Sequence, residues 1–370
     1  MKKVAIIGGG LSGLITSIKL TRAGVPVQLF EKKSYPFHRV CGEYISNETL
    51  PFLKSEKLFP EDFAPPSINR LELTSTNGRR TSIDLDLGGF GISRYNYDHW
   101  LFEIARGEGV EFHLNTEVNA ISFHKDRFQI STAKVEQECD VIVGAFGKRS
   151  RIDRQMHRSF MKKSSPYVGV KYHIKTSHPQ NLISLHNFEN GYCGISQVEG
   201  GIANLCYLTH RSNLRQFGSI KQMEENLLFK NPFIKSLFSN STFLFDSPET
   251  INEISFETKR PVEDHVLMTG DAAGMITPLC GNGMAMAIHS AKILSQLLIP
   301  YCKADRPDRA VLEKAYARSW QELFAKRLWI GRQVQKLFGA EWTSNVAVAL
   351  GNNAPTVAKY LISKTHGRPF

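Results

Sequence analysis

Three glycines near the N-terminus constrain the fold of this chain more than any other feature of its sequence. Gly8, Gly10 and Gly13 form a G-x-G-x-x-G pattern between an apolar run at residues 4–7 and a helical pattern that reaches Leu20. A strand, a tight turn and a helix in this order direct free backbone N–H groups and the positive end of the helix dipole at a pyrophosphate. The pattern therefore predicts an α/β fold with a parallel sheet and a dinucleotide site at its first turn.

The residues of this motif have separate expected roles. Gly8 permits the tight turn, Gly10 lets the backbone approach a pyrophosphate, and Gly13 lets the helix pack closely on the strand. A second apolar strand ends at Glu31, 18 residues after Gly13. Its carboxylate is placed to accept hydrogen bonds from ribose hydroxyls. The acid makes the motif more specific than a lone glycine pattern, but it does not separate FAD from NAD.

A second glycine-rich stretch follows an apolar strand at residues 265–269. Gly270 and Asp271 end that strand, and a loop with further glycines leads into an amphipathic helix from about Met284. A carboxylate at a strand end can bond a ribityl hydroxyl, and the start of the helix offers N–H groups to a flavin ring. The alternative is a structural loop whose glycines adopt positive φ.

A third stretch, residues 139–154, combines another buried strand with Gly147 and a basic cluster. Upstream, Arg94 stands at the start of a helical pattern that also carries Asp98. Both features belong to the same predicted α/β domain.

Together these stretches resemble the FAD-dependent superfamily that contains p-hydroxybenzoate hydroxylase-type monooxygenases and geranylgeranyl reductases, over nearly the whole chain. Arg94 and Asp98 match its R-x-x-x-D-x-x-L element, and Gly270-Asp271 match its flavin-binding G-D motif. The resemblance implies a Rossmann-like FAD-binding domain of glutathione reductase type, with FAD as cofactor and NAD(P)H as electron donor. The residues expected to contact FAD are Gly8, Gly10, Leu11, Ser12, Gly13, Glu31, Lys32, Arg39, Cys41, Gly42, Arg94, Val118, Gly147, Gly270, Asp271, Pro278, Gly281, Gly283 and Met284.

Two departures from the superfamily pattern bear on the reaction. Phe146, in the stretch GAFGKRS, stands where the hydroxylases carry an acid associated with the pyrophosphate region and with NAD(P)H use. Gly274 stands where the aromatic hydroxylases commonly carry His, and this favours the geranylgeranyl-reductase branch. The electron donor is left open.

Cys41 allows several interpretations. The stretch Cys41-Gly42-Glu43 resembles a cysteine-containing segment near the flavin in the reductase branch, which implies a catalytic-site residue that shapes the pocket and touches substrate. A structural buried thiol is the alternative. A redox disulfide is disfavoured because no second cysteine stands two to five residues away.

Residues 166–260 contain alternating strand-like runs separated by Gly- and Asn-rich turns, which predicts an antiparallel sheet. By the resemblance, this inserted sheet roofs a substrate pocket over the flavin. The expected FAD-binding domain is discontinuous (residues 1–45, 90–165 and 260–300), the substrate domain comprises residues 46–89 and 166–259, and residues 301–370 form a C-terminal helical segment.

Composition limits the other classes of function. The chain has 370 residues, 42% hydrophobic and 22% charged, and no apolar run of the roughly 18–20 residues that crosses a bilayer. The N-terminal apolar run is short and no cleavage site follows it, so it is interpreted as a strand and a cytoplasmic protein is expected. The six cysteines include no C-x-x-C pair, so no metal site is expected.

The net charge of +11 is concentrated near the C-terminus. From Lys303 onward there are twelve Lys and Arg against five Asp and Glu. Such an end could be a solvated helix face, or it could contact an anionic membrane or an acidic carrier protein, which leaves a cytoplasmic protein with membrane association open. No nucleic-acid motif accompanies the charge, so no nucleic-acid partner is expected. The oligomeric state is not predicted.

Three functions remain at this stage. The first is reduction of carbon–carbon double bonds in a small lipophilic, isoprenoid-like or polyene substrate. The second is a flavin monooxygenase that hydroxylates or epoxidises an aromatic or polyene substrate. The third is an FAD-binding protein without turnover. Halogenation is disfavoured because the chain has no W-x-W-x-I-P stretch.

Overall fold

The apolar run before the first glycine motif forms the central strand of a parallel sheet. The computed structural model describes residues 1–163, 165–335 and 339–370. The strands are β1 (Val4–Ile7), β2 (Val27–Phe30), β3 (Tyr44–Ser46), β4 (Ser67–Thr74), β5 (Arg80–Gly91), β6 (Glu111–His113), β7 (Val118–His124), β8 (Arg127–Thr132), β9 (Glu136–Cys139), β10 (Val141–Gly144), β11 (Tyr167–Lys175), β12 (Leu182–Phe188), β13 (Gly191–Gln197), β14 (Ala203–His210), β15 (Thr242–Phe243), β16 (Glu249–Ile254), β17 (Val262–Glu263) and β18 (Val266–Met268).

Helices cover both sheets and form the C-terminal end. They are α1 (Leu11–Arg22), α2 (Leu50–Ser55), α3 (Arg94–Gly107), α4 (Arg151–Gln155), α5 (Arg211–Phe217), α6 (Ile220–Asn226), α7 (Pro232–Ser239), α8 (Gly283–Lys303), α9 (Arg309–Gln335), α10 (Glu341–Asn353) and α11 (Pro355–Ser363). Residues 336–338, which belong to the predicted C-terminal segment, lie outside the described residues.

The parallel sheet brings the three glycine-rich stretches together. Its strand order is β17-β18-β10-β1-β2-β6. Each pair of neighbours from β18 to β6 in this order is parallel. β1, β2 and β10 are buried along their whole length, as expected for strands covered by helices on both faces. The turns after β1, β10 and β18 therefore lie side by side at one edge, where ligands bind in such sheets.

The second sheet has nine strands in the order β15-β11-β14-β13-β12-β4-β5-β3, with β16 also paired to β11. The pairs β11–β14, β14–β13 and β13–β12 are all antiparallel, which confirms the predicted antiparallel sheet. One pairing differs from the prediction, because β4 and β12 are parallel. β4 comes from a part of the chain far before β12, so no hairpin fixes their relative direction.

The C-terminal helices pack on both sheets. Tyr316, Trp320 and Phe324 of α9 are buried in the same core as β1. Gly351 of α10 lies against Thr81 of β5, so α10 covers the edge region of the nine-stranded sheet. In the described residues, no helix is both long enough and apolar enough to cross a membrane. The predicted domain boundaries stay a prediction.

Candidate functional site

A single cavity of about 1110 Å³ connects the two sheets. It begins at the glycine turn after β1, passes between the sheets, and reaches α10 and α11. Every residue predicted to contact FAD lines it, with the exception of Gly13. The roles of the individual residues stay predictions, but the structure brings them to one place.

Gly13 differs because it faces the strands. A β-carbon on Gly13 would overlap the Gly8 carbonyl oxygen and come within 3.2 Å of Ala145 Cβ. Gly8 itself has a φ of +106°, and a β-carbon there would lie 2.6 Å from the Ala145 carbonyl carbon. These two glycines allow α1 to approach β1 and β10, and Gly13 does so without contacting the cavity.

The first turn offers unpaired donors to the cavity. Gly10 is the N-cap of α1, and among the described residues no side chain caps the first N–H groups of that helix. Those groups, on Leu11 and Ser12, are at the cavity wall. The start of an uncapped helix is a site for a phosphate group.

Glu31 is fixed at the other side of this turn. Its two carboxylate oxygens accept hydrogen bonds from the backbone N–H of Gly9 at 2.8 Å and of Lys33 at 3.0 Å. A carboxylate has about four acceptor positions, so further ones remain for hydroxyl groups. The expected contact with a ribose is compatible with this geometry.

Arg94 places a positive charge beside Gly10. Its Nε and Nη2 donate to the two oxygens of Asp98 at 2.6 and 2.7 Å, and Arg39 Nε donates to the same carboxylate at 3.0 Å. Burial would lower the pKa of Arg94, but Asp98 outweighs it and raises that pKa. A β-carbon on Gly10 would lie 3.6 Å from Arg94 Nη2, so the guanidinium borders the space above the turn.

The loop after β18 supplies the second carboxylate. Gly270, with a φ of +60°, donates its N–H to Ser290 Oγ at 3.0 Å. Burial raises the pKa of Asp271, and Lys259 and Arg94 oppose that effect. Lys259 Nζ donates to the Asp271 carbonyl oxygen at 2.8 Å, and burial lowers the pKa of this lysine to about 8.

These groups fit FAD. The uncapped helix start and the Arg94 guanidinium suit a pyrophosphate, while Glu31 and Asp271 border the cavity where ribose and ribityl hydroxyls would need acceptors. Gly147, at a φ of +80°, has no atom within 4 Å of the position that a β-carbon would occupy, so the turn after β10 leaves room for the cofactor.

Cys41 lines the cavity, close to Arg94 and to Cys206 of β14. It is partly buried, and its Sγ accepts the N–H of Glu43 at 3.5 Å. Burial raises the pKa of this thiol, so it is protonated near neutral pH and is a poor nucleophile. Cys206 of β14 lines the same cavity, which sequence spacing did not indicate.

A buried ionic cluster stands behind Cys41, and sequence reasoning missed it. Glu43 is fully buried; its Oε1 accepts from Lys171 Nζ at 2.5 Å and its Oε2 is 2.7 Å from His173 Nε2. Burial would raise the pKa of Glu43, but Lys171 and His173 outweigh it and lower that pKa. The available signal was a Lys and a His at alternate positions of an otherwise apolar strand, β11, which places both on one face.

Glu43 also has an unusual backbone. Its φ is +54°, a left-handed conformation that non-glycine residues seldom adopt. The Arg94 N–H donates to Glu43 Oε1 at 2.8 Å, and the Ile92 N–H donates to the Glu43 carbonyl oxygen at 3.0 Å. The strained turn carries the Glu43 side chain from the cavity wall into the cluster.

The far part of the cavity has an aliphatic wall. It is contributed by β4, β5, β12, β13, α10 and α11, and its side chains include Leu71, Leu73, Ile83, Leu85, Ile183, Leu185, Ile195, Leu350 and Ile362. We call this part the aliphatic chamber.

An α/β protein with an FAD site has the features found here: a parallel sheet, a glycine turn after its first strand, and the carboxylates of Glu31 and Asp271 at the ends of strands. The chain belongs to the FAD binding domain family, whose profile matches residues 1–319. This confirms the predicted fold class and FAD as the cofactor of the family.

Two curated relatives illustrate how far the family diverges. Digeranylgeranylglycerophospholipid reductase 2 of Methanopyrus kandleri is 23% identical over 352 residues, which cover 90% of this chain and 86% of that protein. Conditioned medium factor receptor 1 of Dictyostelium discoideum is also 23% identical, over 334 residues that cover 80% of this chain. The match spans 63% of that receptor's length.

Solved structures share the fold. A geranylgeranyl bacteriochlorophyll reductase-like protein from Thermoplasma acidophilum superimposes with a TM-score of 0.79 at 14% identity, over 100% of this chain and 96% of its own. CmlS, a flavin-dependent halogenase, gives a TM-score of 0.80 at 19% identity, over 100% of this chain and 74% of its own. At these identities the likeness concerns the fold alone.

Proposed function

We propose that the protein is an FAD-dependent oxidoreductase that reduces carbon–carbon double bonds in a small lipophilic, isoprenoid-like substrate. The observation that supports this most directly is the continuity of the cavity, which joins the glycine turn after β1 to the aliphatic chamber. A substrate chain in the chamber would extend toward the flavin end of the cofactor.

The chamber favours an apolar chain over an aromatic acid or a sugar. Its lining near β4 and β5 consists of Leu71, Leu73, Ile83 and Leu85, which offer no hydrogen bonds. Each buried methylene of a substrate would contribute about 0.8 kcal/mol there. The reductase named for a digeranylgeranyl lipid among the relatives supports the same substrate class.

Reduced FAD, when bound, would supply a hydride, and the protein must provide a proton for the other carbon. Glu43 lines the cavity, and its lowered pKa makes it a carboxylate that rests between two basic side chains. Lys171 Nζ and His173 Nε2 lie 2.5 and 2.7 Å from its two oxygens. In this proposal Lys171 or His173 gives a proton to Glu43 as Glu43 delivers one to the cavity, so the carboxylate relays the proton and does not hold it at rest.

The electron donor of this proposal is NAD(P)H. Phe146 lines the cavity after β10, so no acid occupies the position where the hydroxylases carry one. The experiment must therefore include a chemical reductant beside both nicotinamide cofactors.

The test uses the FAD-loaded protein, reduced without oxygen by dithionite, NADH or NADPH, and mixed with a C20 isoprenoid alcohol in detergent. Mass spectrometry should show the gain of two hydrogens for each reduced double bond. A product that contains oxygen and forms only in air would indicate a monooxygenase and contradict the proposal. A bound but unchanged isoprenoid under every reductant would also contradict it.

A matched pair of variants locates the substrate. Leu85→Glu places a charge in the aliphatic chamber and should abolish conversion with FAD content unchanged. Leu244→Glu, at a residue that is 41% exposed, should convert the alcohol at the wild-type rate.

A further inference from the structure

α10 and α11 expose an apolar face of unusual size. Trp342 is 75% exposed and Tyr360 is 59% exposed, although large aromatic side chains are normally covered. We call the following set the apolar face: Trp342, Val346, Ala349, Val357, Tyr360 and Leu361.

The spacing of these residues matches two helical stripes. On α10 they recur at intervals of four and three residues, and on α11 at intervals of three and one. The opposite side of α10 is fixed to the protein, because Ser344 accepts a hydrogen bond from the N–H of Thr76 at 3.4 Å and Gly351 lies against Thr81. The stripe on α10 therefore points away from the sheet.

The face surrounds an opening of the cavity. Val346 of α10 is 47% exposed and Leu361 of α11 is 44% exposed, yet both side chains also line the cavity. Residues that are both exposed and cavity-lining mark an entrance, and this entrance lies between the two helices beside the aliphatic chamber.

The C-terminal residues beside the face carry an excess of positive charge, and Asp86 of β5 offsets only Lys359, with which it pairs at 3.2 Å. Lys364 and Arg368 are exposed, and Lys364 Nζ lies 4.5 Å from the centre of the Tyr360 ring. Glu341 is the only acidic residue from position 341 to the C-terminus. Two copies of this face would bring like charges together, whereas an anionic lipid surface would complement them.

We propose that the apolar face docks on the surface of an anionic membrane and opens the cavity toward the lipid. Trp342 and Tyr360 would enter the headgroup region, and Lys364 and Arg368 would contact lipid phosphates. Entry of the substrate from the bilayer rests on the proposed function, but the docking itself does not.

The test measures flotation of the full, FAD-loaded chain with phosphatidylcholine vesicles, with and without phosphatidylglycerol. We expect co-flotation with the anionic vesicles, a decrease with added salt, and little binding to the neutral ones. The double variant Trp342→Glu/Val357→Glu changes the face but no cavity-lining residue, and it should lower the bound fraction at least about tenfold. Val311→Glu, at a residue of α9 that is 64% exposed, is the matched control and should bind like the wild type.

Several results would overturn the docking proposal. One is the absence of flotation in the wild type, and another is equal flotation of the double variant. A third is a dimer that the double variant converts to a monomer, without vesicle binding, because the face would then join two copies. An activity assay with detergent-dispersed substrate distinguishes the two proposals. Conversion of the substrate without vesicle binding would contradict only the docking proposal. Vesicle binding without any conversion would contradict only the proposed reaction.

Discussion

Lys171 Nζ lies 2.5 Å from Glu43 Oε1, and both residues are fully buried. The pair joins the turn after Cys41 to β11, which are 128 residues apart in the chain. Removing two charges from water is costly, and the pair is tolerated because His173 and the Arg94 N–H also bond the carboxylate. The cluster therefore connects the FAD region to the nine-stranded sheet.

Glu43→Gln should destabilise the protein by about 3 kcal/mol, since it leaves the buried Lys171 ammonium without its counter-charge. Urea unfolding of the FAD-loaded protein measures this. Glu257→Gln, which removes the charge of an exposed pair with Lys163, should change little. An equally small loss in both variants would show that the buried pair is not coupled to folding.

The same Glu43→Gln variant should reduce double bonds at least about 100-fold more slowly, while its flavin is still reduced by the donor. Glu48→Gln separates chemistry from stability. Glu48 is a fully buried carboxylate paired with Arg327, and it does not line the cavity. If both variants lose conversion equally, Glu43 has no role in proton transfer. Stopped-flow reduction and product analysis provide the two readouts.

His186 should make the protein less stable in acid. Burial lowers its pKa to about 3 from an ordinary value of 6.5, so the folded state holds it neutral. The unfolded chain binds the proton first, and stability is lost as pH falls from 6.5 toward 3, by up to about 1.4 kcal/mol per pH unit. His186→Gln should flatten this part of the unfolding free-energy profile, and the exposed His124→Gln should not. Parallel profiles in all three proteins would refute the assignment.

Gly10→Val should abolish FAD binding without unfolding the protein. A β-carbon is tolerated there, but the two further methyl groups would fill the space beside Arg94 that a pyrophosphate needs. The visible flavin absorbance of the purified variant measures this. Gly107→Val, at the end of α3 with no atom near its β-carbon position, should keep the wild-type flavin content. A yellow Gly10→Val protein would exclude this turn as the phosphate site.

Cys41→Ala should keep FAD and change the turnover rate or the set of products, because the thiol lines the cavity close to Arg94 and Glu43. Cys193→Ala is the matched control, since Cys193 is fully buried and does not line the cavity. Product analysis by mass spectrometry gives the comparison. Wild-type kinetics and products in Cys41→Ala would make this thiol a packing residue.

The parallel sheet and the cofactor end of the cavity could be predicted from the sequence, because local motifs mark both. Gly8 and Gly270 have backbone conformations with positive φ, which glycine adopts readily, and both stand inside recognisable glycine-rich patterns. Asp271 and Glu31 could be anticipated because acids at strand ends are part of the same local patterns.

The sequence could not predict the part of the cavity around Glu43, because the residues there meet only through tertiary packing. Lys171 and Glu43 are 128 residues apart and meet only in the folded protein, and nothing in either local sequence identifies the other. Cys206 reaches the neighbourhood of Cys41 in the same way. A search for nearby cysteines in the chain could not find it.

Arg158 lies behind the site and contacts no part of the cavity. Its guanidinium is 1% exposed and bonds the carboxylates of Asp153 and Glu263 and the carbonyl oxygens of Arg260 and Ala272, all at 2.7–2.9 Å. The segments that would flank the coenzyme are thus tied to one another by the polypeptide itself. Apoprotein stripped of its yellow colour should consequently keep its shape and refill on simple mixing, so that coenzyme supply, rather than refolding, would set how much of the protein is active.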